Sequence, residues 1–121
     1  SSDLCEVLVN ETIPGSAGKN HKIPVAVKNN GMYIAVAYNK ATGKPVNKRD
    51  TTKFYEIVDD LKKGDHGTQL TDAIYGSSVG FRGEALVELE NLSKSRTKDP
   101  ENKLDFKTAN FENNIYSVTK C

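Results

Sequence analysis

His21 and His66 are the only histidines in this chain of 121 residues, and imidazole is the side chain best suited to exchanging a proton near neutral pH. Cleavage of an RNA phosphodiester by general acid and base needs two proton-exchanging groups and a cation for the phosphate. His21, His66, Glu84 and Arg82 are the inventory from which that chemistry would be drawn. Both histidines stand in polar surroundings. His66 lies within Gly64-Asp65-His66-Gly67, which reads as a turn and lacks the Walker pattern of a phosphate loop. A Gly-x-Ser-x-Gly nucleophile elbow is absent, and two scattered histidines are too few for a zinc site. Neither a metal nor a cofactor is expected.

Small secreted ribonucleases of fungi and bacteria carry His, Glu and Arg sets on an antiparallel sheet with one helix. The chain is similar to them in inventory and has none of their motifs. A second resemblance lies in Gly80-Phe81-Arg82-Gly83-Glu84-Ala85-Leu86, which resembles a stretch of the ATP-binding domain of MutL-type mismatch-repair proteins. In that family the stretch works beside an acidic-Asn metal site and an Asp-x-Gly-x-Gly adenine loop, and the chain has neither. Gly80 and Gly83 are therefore expected to shape the start of a helix or strand, with no ATP bound.

Length fits one domain spanning 1–121. Hydrophobic residues make up 36% and there is no Trp, so the core must come mainly from Val, Leu, Ile, Phe and Tyr. Lys and Arg total 17 against 16 for Asp and Glu, a net charge of +1 that gives no reason to expect nucleic acid as partner. No apolar run reaches the ~20 residues of a membrane span. Cys5 and Cys121 stand near the two ends with no second Cys or His at ligand spacing, so a disulfide tying the termini is expected. In the chain-entropy model such a bond stabilises the fold by ~4–5 kcal/mol. It implies an oxidising compartment and a secreted protein, with which the sequons at Asn10 and Asn91 are compatible.

Alternation predicts strands at residues 4–9, 23–28 and 32–38, the last two joined by an Asn30-Gly31 hairpin turn. Pro24 cannot donate to a ladder, so its strand should be an edge or enter the sheet only after it. Phe54, Ile57, Val58 and Leu61 stand at helical spacing, with Asp50 or Thr51 as cap and Lys62-Lys63-Gly64 as stop. Residues 70–75 read as a short helix capped by Thr68. Residues 81–92 fit helix or strand, with a lean to helix, and 93–103 read as an exposed loop. Strands are expected at 104–107 and 115–120. The fold class is α+β, an antiparallel sheet packed on a central helix, with an all-β sandwich as alternative if 81–92 is a strand. Tyr33, Tyr38, Phe54, Tyr55 and Tyr75 are expected in or near the core rather than on a base-stacking platform.

The function these features favour is a small, secreted, non-enzymatic, effector-like protein, monomeric, that binds a protein or other macromolecule. The format is that of secreted effectors of plant-pathogenic fungi and small toxins. A compact ribonuclease-like hydrolase built on His21, His66, Glu84 and Arg82 is the alternative, and a cytosolic adaptor with free thiols is the third reading. Loops on a rigid scaffold carry recognition more often than the scaffold itself. The expected binding residues are accordingly Lys48, Arg49, Arg96 and Lys98, in two cation-rich segments at 40–49 and 93–103.

Overall fold

The computed structural model describes residues 5–40 and 43–109. Cys121, the strand expected at 115–120 and the start of the turn at 41–44 lie outside them, as does the side chain of Cys5. The Cys5–Cys121 bond therefore falls outside the described residues.

Three strands form an antiparallel meander: β1 (Cys5–Pro14), β2 (Asn20–Asn29) and β3 (Met32–Asn39). The expected turn closes β2 onto β3, with Asn30 at φ 53° and Gly31 at φ 83°, the two positive values that a tight hairpin requires. β2 is an internal strand, paired with β1 along its length but with β3 only from Val25 onward. Pro24 thus sits just outside the stretch that needs donors on both sides.

Beyond β3 the sheet changes character. Helix α1 (Lys48–Lys63) leads to β4 (Asp72–Gly76), and α2 (Gly83–Thr97) leads through a short 3₁₀ turn to β5 (Asp105–Ala109). Strand order is β1-β2-β3-β4-β5, with β3, β4 and β5 parallel. The α+β class holds, and the sheet is mixed rather than antiparallel throughout. Among the described residues two helices rather than one cover it.

Several expectations are corrected here. Residues 72–76 are a strand and not a helix. All five are buried, and a central parallel strand reads as a short apolar run that periodicity cannot distinguish from a buried helical turn. The stretch 93–103 is not a loop, since α2 runs to Thr97 and residues 100–102 form the 3₁₀ turn. The α1 cap is Asn47, whose side chain accepts from Asp50 N at 2.9 Å while Asp50 Oδ2 accepts from Asn47 N at 3.0 Å, a reciprocal capping box.

The helices share one face of the sheet. Phe54, Val58 and Leu61 of α1 and Ala85 and Leu89 of α2 pack with Val36, Ala73, Tyr75 and Phe106. The cluster on the opposite face contains strand residues alone: Val25, Val27, Ala35, Ala37 and Ile74. At the β5 edge, Ser93 of α2 accepts from Phe106 N at 2.7 Å and donates to Phe106 O at 3.2 Å. One hydroxyl thus satisfies both backbone groups of Phe106 that point away from β4. Ser93→Ala is expected to lower stability by about 1–3 kcal/mol, the cost of stranding part-buried polar groups, measured by urea unfolding.

Candidate functional site

Two places concentrate functional side chains. The first follows from the topology. β3 and β4 are parallel, so α1 and α2, which follow them, begin at the same end of the sheet. An isolated bridge between Val46 and Phe81 joins the two helix starts, with Val46 N donating to Gly80 O at 3.0 Å and Arg82 N to Val46 O at 2.8 Å. Ser77 Oγ shapes the loop before α2 by accepting from Gly80 N at 3.0 Å and Val79 N at 3.3 Å. Lys44, Lys48, Arg49 and Arg82 are exposed at this end. Lys48 reaches Glu88 across the helices at 3.6 Å. Val79 (47% exposed), Leu86 (43%) and Val87 (58%) lie in the loop before α2 or in its first turns.

The second place is a cavity of about 290 Å³ between the β1–β2 hairpin and α1, lined by Lys19, His21, Lys53, Glu56, Ile57 and Asp60 among others. His21 Nε2 stands 2.7 Å from Asp60 Oδ2, while Ser16 donates to Asp60 Oδ1 through Oγ at 2.6 Å and through its backbone N at 3.1 Å. The Ser16 hydrogen bonds, then that of His21, pull the Asp60 carboxyl down to about 2. At neutral pH Asp60 is therefore an acceptor only, so His21 Nε2 carries the proton, which in the neutral ring leaves Nδ1 an acceptor. In the unfolded chain the same carboxyl titrates near ~3.9. The stabilisation it contributes is complete above that value and is lost as pH falls through about 2. Urea titrations at pH 7, 4 and 2.5 should show this acid loss in the native chain and a shallower one in Asp60→Asn.

The four residues of the hydrolase alternative are dispersed. His66 is exposed in the loop between α1 and β4, its carbonyl accepting from Tyr33 N at 3.0 Å. Arg82 and Glu84 follow β4, at its other end, across five residues or roughly 16 Å of strand. Among the described residues no hydrogen bond joins any two of His21, His66, Glu84 and Arg82. His21 was legible as a candidate, but its partner was not. Asp60 is 39 residues away, and an aspartate on the polar side of an amphipathic helix has no signal of its own.

The four expected binding residues also separate. Lys48 and Arg49 open α1, whereas Arg96 and Lys98 end α2, a helix about 22 Å long. Arg96 is engaged internally, donating to Asp59 Oδ1 at 2.5 Å and to the Tyr55 hydroxyl at 3.1 Å. Burial opposes the ionisation of Asp59, but hydrogen bonds from Lys63 and Arg96 outweigh it and hold the carboxyl below its ordinary range. Arg96 therefore works as a tie between the helices, and Lys98 remains exposed beside it.

No known protein family matches the chain, and no curated protein does. Its fold is similar to a crystal structure described as a protein of unknown function, AF1548, with a TM-score of 0.61 and 15% sequence identity. That similarity covers 94% of this chain and 55% of the other, so the chain spans about half the length of the protein it matches. At this identity the likeness shows the fold alone: a mixed α+β sheet carrying its helices on one face.

Proposed function

We propose that the chain is a non-enzymatic, effector-like binding protein whose partner is a protein with a mixed acidic and apolar surface. The partner docks where α1 and α2 begin. Secretion, in this reading, rests on Cys5 and Cys121 in the sequence. The carrying observation is the Val46–Phe81 bridge, which sets two helix starts side by side. It gathers exposed Lys44, Lys48, Arg49 and Arg82 with exposed Val79, Leu86 and Val87 at one end of the domain. Three of the five large apolar residues exposed among those described are found there. Apolar anchors within a charged rim suit a protein interface, and the near-zero net charge offers little to a polyphosphate backbone. In parallel arrangements, moreover, the carboxyl ends of the strands are where ligands are usually met.

Panning the immobilised chain against a random 12-residue peptide library should select peptides rich in Asp, Glu and large apolar residues. The triple variant Lys48→Glu, Arg49→Glu, Arg82→Glu should weaken them at least tenfold, chiefly by slowing association, with the melting temperature kept because these side chains are exposed. Selected peptides that bind the triple variant equally well would refute the reading. Salt-dependent binding of a single-stranded RNA at the same residues, with no acidic peptide selected, would make the partner a nucleic acid instead.

A further inference from the structure

The hairpin cavity has a neighbour. A second cavity of about 250 Å³ is lined by Tyr38, Asn39, Phe54 and Tyr75, and it shares Lys53 and Ile57 with the first. Lys53 and Ile57 are one turn apart on α1, so the two cavities are halves of one groove along the flank of that helix, of opposite character. One half is lined by Lys19, Lys53 and His21. Two carboxylates line the same half: Asp60, with both oxygens engaged by Ser16 and His21, and the exposed Glu56. In the other half three aromatic rings meet: Tyr38 lies 6.0 Å from Phe54 and 5.9 Å from Tyr75, and Phe54 lies 4.7 Å from Tyr75. The Lys40 ammonium beside them is held by Asp50 Oδ2 at 2.5 Å and by Pro45 O at 3.1 Å, so it closes that end as a neutral pair. The Asn39 side chain supplies both donors and an acceptor.

We propose that this groove binds a small ligand joining a phosphate to an aromatic ring, a nucleoside monophosphate being the simplest of the class. The phosphate sits between Lys19 and Lys53. The ring lies against the half-buried Tyr38, which Phe54 and Tyr75 back from the core, with Asn39 facing its polar rim. The combined volume is in the range of small-molecule sites, and a few convergent polar groups on an apolar wall are what such sites need. This groove lies along the flank of α1 and shares no residue with the docking end proposed above, so either can fail without the other.

Calorimetric titration of the full chain with adenosine 5′-monophosphate decides the matter, with adenosine and ribose 5-phosphate as separate arms. The nucleotide should bind saturably and at least tenfold more tightly than either fragment. Lys53→Glu should weaken it tenfold or more without moving the melting temperature of the unliganded protein, since Lys53 is exposed. Tyr38→Ala should weaken the nucleotide and adenosine but not ribose 5-phosphate. No saturable heat at millimolar nucleotide overturns the proposal. So does binding that survives Lys53→Glu, or binding that falls with Arg82→Glu instead.

Discussion

Phe54→Ala is expected to cost about 3–5 kcal/mol, a large share of the ~5–15 kcal/mol that holds a small domain together. Phe54 is 1% exposed and forms the centre of an aromatic cluster that ties α1 to three strands. Its ring stands 6.0 Å from Tyr38 of β3, 4.7 Å from Tyr75 of β4 and 5.8 Å from Phe106 of β5. Truncation removes the burial of a large apolar side chain and leaves a cavity that rings on a sheet cannot collapse to fill. Phe54→Leu keeps much of the volume and should cost about 1–1.5 kcal/mol. Urea midpoints at constant m-value measure both. A loss below about 1 kcal/mol in the alanine variant would mean that the cluster does not anchor the helix.

The second large effect is expected at Gly67. The loop from α1 to β4 wraps tightly, with Gly64 N donating to Leu61 O, Gly67 N to Gly64 O and Leu70 N to Gly67 O. The Lys62 ammonium lies within the wrap, donating to Leu70 O at 2.5 Å and Thr68 O at 3.3 Å. Burial, with a smaller contribution from Arg96, makes it easier to deprotonate than an ordinary lysine. A Cβ at Gly67 would overlap the backbone carbonyl of Leu61, a group inside the helix that cannot yield. Gly67→Ala should therefore cost at least ~2 kcal/mol. Gly43→Ala, where a Cβ meets nothing within 4 Å, should stay within about 0.5 kcal/mol. Similar losses in the two variants would contradict the tight loop.

What the sequence revealed follows from how local each signal is. The β2–β3 hairpin was legible because Asn30-Gly31 encodes its two positive φ values by residue type, and α1 because four apolar residues repeat at helical spacing. β4 reads as a helix in the sequence because a strand buried on both faces has no alternation. The sequence marks α2 too short because its last third, residues 93–97, is polar: only Ala85 and Leu89 of the helix are buried, so apolar periodicity stops before the helix does. The parallel pairing of β3, β4 and β5 is a long-range property with no local mark. For the same reason Lys48 and Arg96 were grouped by composition although the helices carry them to opposite ends. Arg82, singled out as part of an acid–base set, proved to stand among the exposed cations where the helices begin. Asp60 has no local mark in the sequence because what matters about it is the hairpin folded against it.

The central claim is that recognition takes place where α1 and α2 begin, and amide chemical-shift mapping tests it most directly. A peptide selected by panning is titrated into the ¹⁵N-labelled chain. The account predicts that the largest perturbations fall at residues 44–49 and 79–87, with little change along β1 and β2, and that they disappear in the Lys48→Glu, Arg49→Glu, Arg82→Glu variant. Perturbations centred instead on Val7 and Val9 of the edge strand, both exposed, or on the sheet face formed by Val25, Val27 and Ile74, would contradict it.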